Sequence, residues 1–344
     1  MLLISALFFC CLLTAYFLSR LIRAWALRQQ LLDIPNHRSA HELPIPIGGG
    51  IAIVVTFVLA VGILMIVGRI DADLLRLILA PLTIALLGLI DDIRTLSART
   101  RIFFHFAAAI WVVFFAGAFA NVNLGGYIIE LKWLGSVIGV FYLVWLLNLF
   151  NFMDGVDGIA ASEAVCVSGS MCLFLLLRDT QDSIWVLLAL AGGCSGFLLI
   201  NWPPAKLFMG DVGSGFLGIL LGTISIMTIN QGLVSLWVWL IVLGFFIVDA
   251  SLTLFNRLLR GDRVHEAHDL HAYQHATRSL GSKVVLLGVI AINIFWLFPL
   301  AWLANAKEDL GLLLFVLAYV PLAMLCWVGG SGQLNAKLFK VSTD

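Results

Sequence analysis

The residues able to do chemistry fall in a few short blocks. In LGLIDDIRTLSARTR the adjacent carboxylates Asp91 and Asp92 come straight off an apolar run. At a helix C-terminus they oppose the macrodipole and each other, so they call for a cation: a metal, or Arg94 and Arg99 in a plain interfacial cap. In NLFNFMDGVDGIA, Asn148, Asn151, Asp154 and Asp157 recur every third residue. An unbroken helix drifts by about 60° per such step, whereas a break at Gly155 and Gly158 would bring the four to one cavity. N-capping of the next helix by Asp157 explains one carboxylate, but not two Asn and two Asp. In NWPPAKLFMGDVGSGFLG, Gly213 and Gly215 let backbone N–H groups approach an anion, and Asp211 suits a Mg²⁺ ligand beside phosphates. The plainer alternative is an Asp N-cap with glycines for helix packing.

The stretch RLLRGDRVHEAHDLHAYQHATRSLGSK places His265, His268, His271 and His275 in one stripe if helical. HExxH is absent and no Cys accompanies the histidines, so with Arg257, Arg260 and Arg263 a phosphate patch is favoured over zinc. Asp33, His37, Arg38 and His41 precede Gly48, Gly49 and Gly50, glycines that suit close backbone or ligand approach or simple helix packing. Glu163 and Asp249 fall inside apolar runs without an assignable role.

The elements that must position these blocks are membrane helices. Of 344 residues 62% are hydrophobic and 12% charged, with mean hydropathy +1.05, half the charge of a soluble domain. A soluble catalytic domain, a disulfide scaffold and a nucleic-acid binder driven by net charge are excluded. Unbroken apolar runs occur at 2–19, 47–67, 74–90, 102–120, 133–150, 159–177, 184–200, 213–230, 233–252, 283–304 and 311–328. They are continuous rather than alternating, which excludes a barrel. The expected fold is all-α: a polytopic bundle of about 11 transmembrane helices in one domain over 1–344, with a His/Arg-rich loop at 253–283. Fifteen of the 20 basic residues fall on one side of the alternating runs, predicting that side to be cytoplasmic, the N-terminus outside and the C-terminus inside. The first run has no basic residue before it and an Arg cluster after it, so it is expected to be a retained anchor. The six cysteines lie in apolar runs without a CxxC pair and read as core residues. All seven histidines and the acidic clusters lie at the basic ends of the runs, so a single site built from helix ends is expected there.

Together and in this order, DIPNHRSAHELPIPIGGG, DDIRTLSARTR, NLFNFMDGVDGIA, NWPPAKLFMGDVGS and HDLHAYQ resemble the polyprenyl-phosphate N-acetylhexosamine-1-phosphate transferases, a bacterial membrane family. The resemblance runs from Asp33 to about Gln274. It implies transfer of an N-acetylhexosamine 1-phosphate from a UDP-sugar to undecaprenyl phosphate, releasing UMP, with Mg²⁺ as cofactor and Mn²⁺ as its substitute. It also implies the bacterial inner membrane, with the lipid bilayer and the two substrates as partners; nucleic acid has no place, and there is room for a homo-oligomer. By motif, Asp91 and Asp92 resemble the essential acidic pair near the metal and the lipid phosphate, and Asp211 resembles the Mg²⁺ ligand. Asn148, Asn151, Asp154 and Asp157 resemble the nucleotide-sugar block, and Asn201 and Phe208 the uracil pocket. His268 and His271 resemble the catalytic loop on the sugar or pyrophosphate, with Arg263 and His265 beside them. The spacing H-x-x-H-x-Y-Q is closer to the O-antigen-initiating branch, in lipopolysaccharide biosynthesis, than to the peptidoglycan-precursor branch. His105 stands where the family usually has Gln. A polytopic transporter of a sugar nucleotide or lipid-linked sugar is the rival class, but its sites should lie near the bilayer midplane.

Overall fold

The structure is a computed structural model and describes residues 2–35, 43–176, 182–262 and 268–333. Continuous apolar sequence satisfies its own backbone in lipid only as helix. The helices are α1 (Leu2–Gln29), α2 (Gly50–Ile66), α3 (Ala72–Ile93), α4 (Ala98–Ala116), α5 (Trp133–Met153), α6 (Ile159–Leu176) and α7 (Asp182–Asn201). They continue with α8 (Asp211–Asn230), α9 (Leu236–Val242), α10 (Gly244–Leu259), α11 (Ala272–Leu280), α12 (Ser282–Ile292), α13 (Phe298–Ala306) and α14 (Gly311–Val328). The only strands among the described residues form two antiparallel pairs: β1 (Leu32–Asp33) with β2 (Ile45–Pro46), and a hairpin of β3 (Asn121–Leu124) with β4 (Tyr127–Glu130).

Each of the eleven apolar runs contains a helix. Among the described residues nine helices are long and apolar enough to cross a membrane; α9 and α10 form one further segment bent by 77°, and α2 is a shorter apolar helix. The fourth run begins earlier than its hydropathy suggests. Ser97 caps α4 by accepting from Thr100 N, and Gly117, at φ +85°, ends it. Arg99 and Arg101 therefore ride on α4 with His105 instead of preceding it. The stretch after α10 is partly helical as well. α11 begins at Ala272, so His268 precedes the helix, His271 sits at its cap and His275 lies within it. A single helical stripe of histidines is not formed, and His265 lies outside the described residues.

Helix α8 is the axis of the bundle, packed against α2, α3, α4 and α5. Small residues let it approach so closely: a Cβ on Gly88 of α3 would fall 2.4 Å from the Asp211 carbonyl oxygen, and one on Gly218 of α8 would fall 2.5 Å from Leu146 O. The Gly48–Gly50 triplet serves packing too. Gly49 and Gly50 donate to Phe208 O and Met209 O, each at 2.8 Å, and a Cβ on Gly50 would meet Gly213 at 2.4 Å. Residues 206–210, which lead into α8, are thereby pinned to the start of α2.

Glu163, fully buried on α6, accepts a 2.7 Å hydrogen bond from Asn293 Nδ2, at the π-helical turn 293–297 between α12 and α13. Its place is structural, tying α6 to that turn. Gly218→Val should wedge α5 from α8, costing roughly 1–3 kcal/mol; a thermal unfolding midpoint equal to wild type in the same detergent would contradict this packing account.

Candidate active site

The site begins at the start of α8. The first amides of a helix lack intrahelical partners, and here Asp92 meets two of them. Asp211 N donates to Asp92 Oδ1 at 2.8 Å, and Val212 N donates to Asp92 Oδ2 at 3.3 Å. The positive end of the α8 dipole thus offsets the negative end of α3, on which Asp92 sits. Gly210 is obligatory at this junction: its φ is +77°, and a Cβ would lie 2.5 Å from Asp92 Oδ2.

Asp91 is held differently. Leu96 N donates to its Oδ1 at 2.5 Å, and Arg101 Nη1 pairs with its Oδ2 at 3.1 Å. The same guanidinium nitrogen stands 3.7 Å from Asp211 Oδ2. The cation expected beside the acidic pair is therefore Arg101, one turn into α4, in place of Arg94 or Arg99. Asn151 Nδ2 donates to Asp211 Oδ1 at 2.6 Å and to Ser214 Oγ at 3.2 Å, fixing the other face of Asp211.

The chain does break after Met153, as Gly155 and Gly158 suggested, and α6 starts at Ile159. The break divides the Asn/Asp block. Asn148, Asn151 and Asp154 face a cavity, while Asp157 Oδ2 accepts Ala205 N at 3.0 Å and is absent from the cavity wall. Asn201 is buried, accepting Gly158 N at 2.8 Å and donating to Leu207 O at 2.9 Å, so its amide joins two loops. Phe208 does not line the cavity; its backbone is bonded to Pro46 and Gly49.

A second helix start completes the site. Asp249, fully buried on α10, accepts Ala272 N at 3.0 Å and Tyr273 N at 3.1 Å, the first amides of α11. Gln274 Oε1 accepts His271 N at 3.2 Å, and the His268 ring stacks on His271 with centroids 4.9 Å apart. Tyr273 reaches across to the break after α5, donating to Phe152 O at 3.0 Å and accepting from Gly155 N at 3.1 Å. Burial first, then the neighbouring His271 and Arg257, lowers the His268 pKa to about 3, so this imidazole is neutral near pH 7.

Both helix starts open on one cavity of about 1390 Å³. Asp91, Asp154 and Asp211 line it, with Arg99 and Arg101 from α4 and His268, His271 and Gln274 from the far side. Its volume exceeds the roughly 300–1,000 Å³ of a single small-ligand site, so it has room for two substrates. Burial, followed by the carboxylates of Asp211, Asp92 and Asp157, pushes the Asp154 pKa well above the usual range. Asp91, Asp154 and Asp211 present carboxylate oxygens to the cavity, the donor type that a hard divalent cation takes. Among the described residues no set of three or more His, Cys, Asp or Glu stands close enough to hold a metal ion by itself.

Of the residues expected in the site, Asp91, Asn148, Asn151, Asp154, Asp211, His268 and His271 share the cavity. Asp92 lies behind it as a cap, Asp157, Asn201 and Phe208 lie outside it, and Arg263 and His265 fall outside the described residues. Sequence reasoning missed Arg101, Tyr273, Gln274 and the role of Asp249. Asp249 carried a signal as a lone carboxylate inside an apolar run, while Arg101, Tyr273 and Gln274 lay inside the quoted motifs without a role assigned to them. His105 does line the cavity, one turn beyond Arg101 on α4.

Two outcomes follow. Asp92→Asn turns an amide N–H₂ toward the α8 amides and should cost about 1–3 kcal/mol, seen as a lower unfolding midpoint together with weaker activity. Because His268 titrates below its ordinary value of 6.5 when folded, the unfolded chain takes up its proton first as pH falls. Its contribution to stability is complete above pH 6.5 and declines toward pH 3. His268→Gln should therefore make the acid-side fall of the unfolding midpoint shallower; an unchanged slope would refute the neutral imidazole.

Residues 74–229 match the family model described as glycosyl transferase family 4. A probable undecaprenyl-phosphate N-acetylglucosaminyl 1-phosphate transferase of Bacillus subtilis is 27% identical, over 95% of this chain and 91% of its own length. A decaprenyl-phosphate N-acetylglucosaminephosphotransferase of Mycolicibacterium smegmatis is 30% identical, over 81% of this chain and 78% of its own. A phospho-N-acetylmuramoyl-pentapeptide-transferase of Wolbachia pipientis is 31% identical, over 62% and 68%.

Proposed function

The chain belongs to glycosyl transferase family 4, and on that footing we propose that it transfers an N-acetylhexosamine 1-phosphate from a UDP-sugar to undecaprenyl phosphate. The observation that carries this reading is the single cavity in which three carboxylates, two arginines and a histidine pair meet at the basic ends of the helices. The relatives act, by their names, on polyprenyl phosphates and amino-sugar phosphates. The cavity also has an apolar side suited to a polyisoprenoid. Ile102, Phe106, Phe141 and Trp145 form its wall between α4 and α5. Phe141 is shared with an apolar groove of about 610 Å³ that runs along Ile110, Val113, Phe114 and Val137.

In the proposed reaction a lipid phosphate oxygen attacks the β-phosphorus of the UDP-sugar in line. The bond from that phosphorus to the bridging oxygen breaks, UMP leaves, and the anomeric carbon–oxygen bond stays intact. Arg101 faces the anions and keeps Asp91 and Asp211 apart from mutual repulsion. Asn151 fixes the rotamer of Asp211. Neutral His268 serves as a hydrogen-bonding and stacking group, and the cationic part of the clamp falls to Arg99 and Arg101. Asp211 and Asp91 would hold Mg²⁺, or Mn²⁺ in its place, which supplies neutralisation of charge on the leaving phosphate.

A single displacement is favoured over a phospho-enzyme. Each oxygen of Asp92 accepts a backbone amide and Asp92 is absent from the cavity wall, and an aspartyl nucleophile at Asp91 would need a second, separately positioned attack. Initiation of O-antigen or a related envelope polysaccharide rests on the spacing His268-x-x-His271-x-Tyr273-Gln274. The excess of basic residues around the site supports a cytoplasmic orientation in the bacterial inner membrane.

Purified protein with Mg²⁺, undecaprenyl phosphate and a panel of UDP-N-acetylhexosamines should release UMP, the fastest sugar naming the donor. No release with any sugar would sink the reading. Asp211→Ala should lower turnover by roughly 100-fold or more, and a rate equal to wild type would remove Asp211 from the site.

A further inference from the structure

A stretch after α14 has no part in the transfer chemistry and yet is built into the back of the site. Gly329, Gly330, Ser331 and Gly332 are buried, Ser331 completely, where a segment leaving a helix is ordinarily solvated. Ser331 Oγ donates to Asp249 Oδ1 at 2.7 Å, and Ser331 O accepts from Asn256 Nδ2 at 2.8 Å. Gly332 N donates to Leu270 O at 2.7 Å, one residue before His271. Gly332 has φ +70°, and a Cβ there would sit 2.8 Å from Thr253 O and 2.7 Å from Asn256 Cβ. One Cβ on Gly329 would lie 3.1 Å from Ala272 Cβ. The stretch thus touches both the carboxylate that caps α11 and the strand of chain that enters it.

We infer that residues 329–333 form a clasp that positions the His268–Gln274 side of the cavity, and that Ser331 is a positioning residue for the transfer, acting through Asp249. Asp249 carries a buried carboxylate whose donors are Ala272 N, Tyr273 N, Thr253 Oγ1 and Ser331 Oγ, the last the shortest. Losing one donor from a buried carboxylate weakens its hold on the others. The slack appears at the first amides of α11, and so at His271 and Gln274. The effect on rate rests on the transferase reading; the clasp itself does not.

The test uses the full chain in detergent or nanodiscs, comparing Ser331→Ala with wild type by amide hydrogen exchange and by UMP release. Exchange at Ala272 and Tyr273 should quicken by roughly tenfold. The KM for the UDP-sugar should rise several-fold, while the KM for the lipid phosphate and the kcat stay near wild type. Unchanged exchange at Ala272 and Tyr273 overturns the clasp, and equal losses toward both substrates overturn the positioning role. Should Ser331→Ala fail to accumulate, Gly332→Ala opens the clasp from its other side and is judged by the same readouts. A wild-type protein that releases no UMP would defeat the transferase reading, while the exchange readout would still decide the clasp.

Discussion

Helix starts buried at the end of a membrane bundle leave amide donors with little water to receive them, and this protein meets that constraint twice with a carboxylate from another helix. Asp92 takes the first two amides of α8, and Asp249 takes the first two of α11. Each cap sets the direction in which the following residues enter the cavity: Asp211 in one case, His271 and Gln274 in the other. The glycine contacts of α8, the Tyr273 bridge to Phe152 and Gly155, and the 206–210 connection all hold these two starts in register.

The arrangement explains how so many acidic groups gather at one place. Asp92 is stabilised by a helix dipole and Asp91 by Arg101, while burial, and after it the neighbouring carboxylates, holds the Asp154 pKa well above the usual carboxylate range. What remains open is a cavity with Asp91, Asp154 and Asp211 on one wall and the stacked rings of His268 and His271 on the other. A midplane transport site would need its polar groups deep in the spans, and these sit at helix ends.

The spans were legible because continuous apolar sequence leaves no alternative to helix, and the break after Met153 was legible because Gly155 and Gly158 announce it. The acidic pair and Asp211 were also visible as polar groups at helix ends. Their division of labour was not, since Asp92 finds its amides 119 residues away, and no local periodicity encodes so distant a partner. The same holds for Arg101, whose register became clear only once α4 proved to start at Ala98. Asn201 and Phe208 looked like ligand groups by motif, yet they stand where loops are tied together. Tyr273, Asp249 and Ser331 matter through long-range bonds, and the glycines after α14 resemble an ordinary chain exit until their contacts are seen.

The central claim is that two helix starts, drawn from distant parts of the chain, converge on one ligand cavity. Hydrogen exchange on the wild-type protein, with and without a UDP-N-acetylhexosamine in the presence of Mg²⁺, tests it most directly. Ligand should slow exchange together in residues 148–155, 211–215 and 268–274, leaving the β3–β4 hairpin at 121–130 unchanged. Protection confined to one helix start, or appearing at the hairpin instead, would contradict it.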